Sequence, residues 1–161
     1  MGSRLHYLFD PLCGWCYGVA PLIKAAAELP GLEVELHGGG MLTGSNCRMI
    51  TPQWRNYVLP HDRRIAELSG QPFGDGYFNG LLNDQGAVLD SEPPISAILA
   101  AQAVTGQGLA MLQRIQHAHY VEGRRIADVQ VLTALAGELG LSLLPFSNAY
   151  QAACGRQTQA H

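Results

Sequence analysis

Two cysteines three positions apart are the residues of this sequence best suited to chemistry. They are Cys13 and Cys16, in the segment FDPLCGWCYG of residues 9–18, with Gly14 and Trp15 between them. Cysteines at this spacing can bind a metal, form a structural disulfide, or exchange electrons through a reversible disulfide. The rest of the sequence has to decide among these three.

A metal site would need further ligands. The other cysteines, Cys47 and Cys154, do not form a second close pair, and no His-x-x-x-His motif accompanies the first pair. The chain starts MGSRLHYLFDP, without the charged start and apolar run of a signal peptide, so a cytosolic location is expected. Cytosolic cysteines are normally reduced, which disfavours a structural bridge. We therefore predict dithiol redox chemistry and no metal.

The elements around the pair are predicted from the spacing of apolar residues. Residues 5–9 alternate as a short buried strand, and a helix is predicted from about Cys13 to Leu29, bent by Pro21 within it. The segment LEVELHG, residues 32–38, is predicted as a second strand. Together they form a strand–helix–strand unit with a parallel, right-handed crossover.

This placement puts Cys13 at the start of a helix. Unpaired backbone N–H groups and the helix dipole favour a thiolate there, so Cys13 is predicted to have a lowered pKa and to be the attacking sulfur. Cys16, one turn further on, is predicted to resolve the mixed disulfide. Trp15 would shield the site, and Gly14 keeps the turn small. Asp10 is interpreted as a turn former rather than a group that tunes the thiols, and no buried carboxylate is expected at the end of the first strand.

The chain beyond Thr43 is predicted to be helical, without a convincing strand. One helix is predicted to open at Thr51-Pro52 and to run to about Leu68, broken or bent at Pro60. Three more helices follow, the third capped by Asp128, and a last one begins near Pro145. The result is a small helical bundle beside a sheet of only two strands, which is marginal alone.

Several other residue patterns have simpler interpretations than a functional site. His117, His119 and Glu122 are predicted to lie on a solvated helix surface. Arg124-Arg125 is interpreted as solvated too, although a glutathione carboxylate could use such a pair. The remaining residues are interpreted as core or groove aromatics (Trp54, Tyr57), a bystander thiol (Cys47), a helix residue (Cys154) and packed strand residues (His6, Tyr7).

Composition limits the function classes. The chain has 161 residues, of which 47% are hydrophobic and 14% charged, which allows a sizeable core. The net charge of −3 gives no general attraction for nucleic acid or for anionic membranes, and no segment is apolar over the length of a bilayer.

A family resemblance rests on the cysteine segment, on the GGGML that follows the second strand, and on the helical segments LDSEPPISAILAAQAV and HYVEGRRIADVQVLTALAGELGL. With these segments the sequence resembles the DsbA-like branch of the thioredoxin superfamily, most nearly its FrnE-like dithiol oxidoreductases. The resemblance implies an α/β fold in which a thioredoxin-like βαβ unit carries a large all-helical insertion. It implies an N-terminal half at 1–42, the insertion at 43–145, and a returning helix at 146–161. It makes Cys13 the nucleophile and Cys16 the resolving cysteine.

Four neighbours of the pair are candidates for binding substrate or tuning the thiols: Trp15, Gly14, Asp10 and Pro11. Members of the family continue into a cis-proline loop, two strands and a final helix, and these 161 residues contain no such loop; Pro145 is not a convincing substitute. Either the sequence is part of a longer one, or a partner such as a second copy completes the sheet.

The functional expectation is thiol–disulfide oxidoreduction or isomerisation on protein or small-molecule thiols. No tightly bound cofactor is expected, with glutathione as a candidate co-substrate. One alternative is a glutathione-dependent isomerase or transferase of the hydroxychromene carboxylate isomerase and kappa classes. Another is a non-enzymatic binding or assembly module with an incomplete fold.

Overall fold

Two parallel strands form the sheet that carries the cysteine segment. In a computed structural model, which describes residues 2–159 and the side chains of residues 2–156, β1 spans Ser3–Phe9 and β2 spans Leu32–Gly38. Their register runs from Ser3 opposite Leu32 to Phe9 opposite Gly38. Both predicted strands and their parallel pairing are confirmed.

The single helix predicted between the strands is wrong, because the chain forms two. Helix α1 spans Gly14–Gly18 and α2 spans Ala20–Ala27, with a break at Val19, whose φ is −90° and ψ is 0°. Pro21 lies in the first turn of α2, where a residue without an N–H costs no helical hydrogen bond. The proline therefore starts a helix rather than bending one.

The rest of the chain is mainly helical. The helices are α3 (Pro52–Ser69), α4 (Glu92–Thr105), α5 (Gly108–Tyr120), α6 (Val129–Glu138) and α7 (Leu143–Gln159). Short single turns occur at Gly44–Asn46, Gly76–Gly80 and Leu81–Asn83. The predicted caps at Thr51 and Asp128 are confirmed: their side chains accept hydrogen bonds from Trp54 N (3.1 Å) and Gln130 N (2.9 Å).

Three details differ from the sequence predictions. Helix α3 is not broken at Pro60 but continues through it to Ser69, with Asp62 and Ile65 buried on the turns that follow. Two short strands are present, β3 (Arg48–Met49) and β4 (Val88–Leu89), which pair antiparallel and are too short to show an alternating pattern. Helix α7 starts at Leu143, so Pro145 lies in its first turn and the expected boundary at 145/146 falls inside a helix.

The helical region packs directly on the sheet. Phe9 at the end of β1 shares one hydrophobic core with Ile95 and Ile98 of α4, Leu112 of α5 and Phe146 of α7. Tyr7 and Leu36 contact the same core, whereas the alternate side chains of both strands point the other way. The sheet therefore has one packed face, which leads towards the cysteines, and one exposed face, which is polar except for Leu8.

Candidate active site

Cys13 is the residue that immediately precedes α1. Its backbone is extended (φ −85°, ψ 113°), its N–H donates to Asp10 O at 3.1 Å, and its carbonyl accepts from Tyr17 N at 3.2 Å. The pKa of the Cys13 thiol is lowered to about 6, mainly by a hydrogen bond from the Cys16 thiol and further by the backbone N–H groups of Cys16 and Trp15. Burial and the charge of Asp10 oppose this shift. Cys13 is therefore the thiol more easily ionised near neutral pH.

Cys16 has the opposite property. Its pKa is raised, because its thiol donates the hydrogen bond to Cys13 and because it is half-buried. Tyr7 of β1 lies beside it; burial, followed by the charge of Cys16, raises the pKa of that tyrosine. Cys13 is thus favoured as the thiolate that attacks first, whereas Cys16 stays a protonated thiol that has to ionise before it can attack in turn.

Asp10 ties the cysteine segment to two distant parts of the chain. Its carboxylate accepts hydrogen bonds from Leu12 N (2.9 Å), Met41 N (2.7 Å) and the Ser91 hydroxyl (3.0 Å). Ser91 in turn accepts a hydrogen bond from Leu42 N. Asp10 exposes only 4% of its surface, so the expectation of no buried carboxylate at the end of the first strand is wrong. It is a turn former, as predicted, and also a cross-link below the cysteines.

Gly14 has a packing role beyond the small turn predicted for it. A Cβ at this position would lie 2.7 Å from Ile65 Cδ1 and 3.3 Å from Asp62 Oδ1, both on α3. A Cβ at Gly18 would lie 3.0 Å from Ile65 Cγ2. The two glycines therefore allow α3 to pack closely against α1. Pro11, another predicted neighbour of the site, is buried in the turn after β1.

A cleft of about 860 Å³ opens beside Cys13. Its walls come from Trp15, from the segment around Met41 and Ile50, and from the α3 side chains Trp54 and Tyr57. Trp15 is 47% exposed, and the guanidinium of Arg48 lies over the Trp54 ring at 5.7 Å from its centroid. The volume suits a small-molecule ligand or an extended peptide segment. Trp54 and Tyr57 are groove aromatics, which was one of their two predicted roles.

Three buried polar groups form the floor of this cleft: Asp62, Tyr77 and His119. The Tyr77 hydroxyl donates to Asp62 Oδ2 at 2.5 Å, and the Tyr77 ring lies 5.4 Å from that of His119. Burial raises the pKa of Asp62 to about 6 and lowers that of His119 to about 3. The Nδ1 atom of His119 is buried and has no hydrogen-bond partner among the described residues. The floor of the cleft beside Cys13 thus combines a hydrogen-bonded Tyr77–Asp62 pair with a ring nitrogen of His119 that is unpaired within the described part of the chain.

The predicted solvated surface around His119 is wrong. His117 is exposed and bonds Glu122 at 3.0 Å, whereas His119 is 5% exposed and packs on Tyr120. The sequence contains only a partial signal for this burial: His119 continues the apolar stripe of Leu112 and Ile115 at helical spacing. Asp62 continues the stripe of Val58 and Ile65 in the same way. His119 was predicted to face solvent, and no role was predicted for Asp62.

The arginine pair is engaged in ion pairs. Arg125 forms a bidentate pair with Asp84, at 2.8 and 2.7 Å. Arg124 lies 3.8 Å from Glu122, whose carboxylate also binds Arg114 at 2.6 Å. Neither arginine lines the cleft at Cys13.

The two remaining cysteines lie outside the cleft at Cys13. Cys47 donates to Leu42 O at 3.5 Å, and burial raises its pKa, as expected of a bystander thiol. Cys154 lies on α7 and interacts with Tyr150. In the part of the chain that the structure describes, none of the helices is both long and apolar enough to span a membrane.

Comparison with known proteins gives matches among solved structures. The chain is 57% identical to the cytosolic disulfide reductase DsbM from Pseudomonas aeruginosa, over 98% of this chain and 74% of that chain, with a TM-score of 0.89. A structure of the same reductase with GSH gives 56% identity over 98% and 75% of the two chains, and again a TM-score of 0.89. A candidate protein disulfide isomerase from Nitrosomonas europaea is 27% identical, over 99% and 76%, with a TM-score of 0.85.

The chain thus spans about three-quarters of the length of each of these neighbours. A scan against models of protein families finds no match, and neither does a search of the curated proteins.

Proposed function

The chain belongs to the DsbA-like family of thiol–disulfide oxidoreductases, and on this premise we propose that Cys13 and Cys16 are its redox centre. The observation that carries the proposal is the opposite shift of the two thiols: the pKa of Cys13 is lowered to about 6 while that of Cys16 is raised. Only a thiolate attacks a disulfide, so Cys13 has the protonation state that the first step needs, whereas Cys16 has to lose its proton before it can resolve the product.

The proposed direction is reduction of a substrate disulfide. The Cys13 thiolate attacks one substrate sulfur, a mixed disulfide forms, and the other substrate sulfur leaves as a thiolate that takes up a proton. Cys16 then loses its proton and attacks Cys13, which releases the second substrate thiol and leaves a Cys13–Cys16 disulfide. Two molecules of glutathione restore the dithiol and leave as glutathione disulfide. The name of the 57% identical neighbour, a cytosolic disulfide reductase, supports this direction and a cytosolic location.

We propose the cleft as the binding site for glutathione. The neighbour structure with GSH supports a small thiol as co-substrate. In this chain, Trp15 and Trp54 line the same cleft as Cys13 and offer apolar surface, and the exposed Arg48 supplies a cation for a glutathione carboxylate. The same open cleft can admit a protein segment that carries a disulfide. Glutathione acts here as substrate rather than as a resident cofactor.

A second copy of the chain is proposed as a partner at the sheet. Within residues 2–159, β1 pairs with β2 on one side only, so the N–H and C=O groups along its other edge can accept another strand. An unpaired strand edge of seven residues is an effective template for pairing between chains. The chain's mass in solution tests this part of the proposal.

The roles of the two cysteines are tested with three variants. Cys13→Ser should lower glutathione-coupled disulfide reduction at least about a thousandfold, since a hydroxyl does not attack a disulfide. Cys16→Ser should accumulate the mixed disulfide of Cys13 with glutathione, seen by mass spectrometry. Cys47→Ser is the matched control and should keep full activity.

The pKa of Cys13, followed by its rate of alkylation against pH, separates the two causes of its shift. Cys16→Ser keeps a hydroxyl donor and should leave the midpoint near 6, whereas Cys16→Ala should raise it by about one unit or more. Activity that survives in Cys13→Ser would instead indicate a glutathione-dependent isomerase or transferase. Normal titration of Cys13 without turnover of any disulfide would indicate a binding module.

A further inference from the structure

The exposed face of the β1–β2 sheet carries a cluster of three side chains able to bind a metal. His6 lies on β1, and Glu35 and His37 lie on β2. In the parallel register, His6 is directly opposite Glu35, and His37 is two residues further along the same strand. Because side chains alternate along a strand, all three project from the same face, the one opposite Tyr7 and the core.

The three side chains each offer a ligand atom, and these atoms lie within 4.8 Å of one another. His6 Nδ1 is 3.0 Å from His37 Nε2, which is 3.5 Å from Glu35 Oε1. His6 Nδ1 is 3.8 Å from Glu35 Oε2. A tetrahedral Zn²⁺ with bonds of about 2.0–2.1 Å holds its ligand atoms roughly 3.3–3.4 Å apart. The two imidazole nitrogens are 3.0 Å apart, and each lies 3.5 or 3.8 Å from one of the two Glu35 oxygens.

We propose that His6, Glu35 and His37 form a binding site for one Zn²⁺ ion. Two imidazole nitrogens and one carboxylate oxygen make up a donor set that this ion favours, and a fourth position stays open to water. The side chains remain 56%, 39% and 41% exposed, so the ion can reach them from solvent. All three belong to paired strands, which fix their spacing more firmly than loops would.

Arg4 is the cation closest to the proposed site, and it forms an ion pair with the ligand residue Glu35. Its guanidinium lies 3.3 Å from Glu35 Oε2 and 3.3 Å from Glu33 Oε2. When Zn²⁺ binds, Arg4 keeps its contact with Glu33, while Glu35 turns from a partner of arginine into a ligand of the metal. The cation of Arg4 weakens the site through repulsion, so Arg4→Gln should bind zinc more tightly than the unchanged chain.

Metal binding here joins the two strands of the sheet from outside the core. A ligand that binds only the folded state stabilises it in proportion to the logarithm of its concentration over its dissociation constant. Zinc should therefore raise the melting temperature of the protein. The proposed site is separate from the dithiol, because His6 and Tyr7 project from opposite faces of β1 and Tyr7 lies on the side of the cysteines.

The experiment uses the full chain with Cys13→Ser and Cys16→Ser, since the dithiol would itself bind zinc. Equilibrium dialysis and calorimetry with ZnCl₂ should give one ion per chain. His6→Gln and His37→Gln should each weaken binding at least tenfold, and Glu35→Gln should weaken it as well. His117→Gln, an exposed histidine beside a carboxylate on α5, is the control and should change nothing.

The absorption spectrum of bound cobalt(II) identifies the type of ligand atoms in addition to reporting binding. Bound Co²⁺ should show the visible bands of a tetrahedral nitrogen and oxygen site, without the near-ultraviolet band of a cobalt thiolate. Loss of these bands in His6→Gln, with an unchanged circular dichroism spectrum, supports the proposal. Zinc binding that His6→Gln and His37→Gln leave intact, a cobalt–thiolate spectrum, or no binding by a folded protein would each overturn it.

Discussion

Two buried carboxylates flank the dithiol, and the protein treats them differently. Asp10 and Asp62 each expose 4% of their surface. Asp10 accepts three hydrogen bonds, two of them from backbone N–H groups, whereas Asp62 accepts one among the described residues, from the Tyr77 hydroxyl. Two aspartates with the same exposure thus differ in their hydrogen bonding: Asp10 has three donors and Asp62 has one within residues 2–156.

The cause is the backbone on which each residue lies. Asp10 follows a strand and enters a turn, where neighbouring N–H groups have no helical partner and can donate to a carboxylate. Asp62 lies inside α3, where the nearby N–H groups are already used by the helix. A buried carboxyl without donors resists ionisation, so burial raises the pKa of Asp62 to about 6.

Because their hydrogen bonding differs, we expect the two carboxylates to have different roles. Asp10 holds the cysteine loop against Met41 and Ser91, and removing it should affect the fold. Asp62 faces the cleft next to Gly14, and a carboxyl with a pKa of about 6 can exchange a proton near neutral pH. Stability and pH dependence can therefore separate them.

The largest effect is expected for Asp10→Asn. The amide NH₂ replaces one acceptor oxygen and faces a donor, so at least one buried hydrogen bond is lost and a buried donor is left without an acceptor. The free energy of unfolding should fall by about 3–4 kcal/mol, measured by urea denaturation. Asp75→Asn, an exposed aspartate in the segment after α3, is the control and should change it by less than about 0.5 kcal/mol. A loss below about 1 kcal/mol for Asp10→Asn would contradict the cross-linking role.

The opposite sign is expected for Asp62→Asn at neutral pH. A carboxyl whose pKa rises from 3.8 to about 6 on folding loses its contribution to stability as the pH rises through 6. Asparagine stays neutral and still accepts the hydrogen bond from Tyr77. The variant should therefore be more stable than the unchanged chain by about 2 kcal/mol at pH 8.

The advantage of Asp62→Asn should disappear at pH 4, where both side chains are neutral in the folded protein. The measurement is urea denaturation at a series of pH values, with the exposed Asp75→Asn again as the control. A variant that is less stable at every pH would show that Asp62 is ionised and favourably bound at neutral pH, and would remove the contrast with Asp10.

The contrast also marks what the sequence could predict. Cys13, Cys16, the two parallel strands and the caps at Thr51 and Asp128 are set by local signals: a turn, an alternating run, and a polar residue before an apolar stripe. These signals act within a few residues along the chain, so a single sequence contains them. The family resemblance to DsbA-like proteins rests on the same segments.

The floor of the cleft could not be predicted in the same way. Asp62 and His119 occupy positions on apolar stripes, but whether a polar residue there is buried depends on what α3 and α5 pack against. The three partners of Asp10 include Met41 and Ser91, which are 31 and 81 residues away in sequence. Contacts over such distances become visible only when the fold is known.

The last prediction concerns Gly14, which lies near Asp10 in the sequence and near Asp62 in the structure. Gly14 lets α3 approach α1, because a Cβ there would lie 2.7 Å from Ile65 Cδ1 and 3.3 Å from Asp62 Oδ1. Gly14→Ala should therefore lower the free energy of unfolding by about 1–2 kcal/mol through overpacking. Gly137→Ala is the matched control, since α6 leaves open space at Gly137 and alanine favours a helix there by about 0.5–1 kcal/mol.

The identity of the contact is tested by combining Gly14→Ala with Ile65→Val, which removes the Cδ1 atom. In the Ile65→Val background, Gly14→Ala should cost less than about 0.5 kcal/mol, because the closest atom is gone. Equal costs in the two backgrounds would place the strain at the Asp62 carboxylate instead. In that case Gly14→Ala should shift the midpoint of the Asp62 titration. The new methyl group would cover the Asp62 oxygen that Tyr77 does not bond, and the added burial would raise the pKa of Asp62 further.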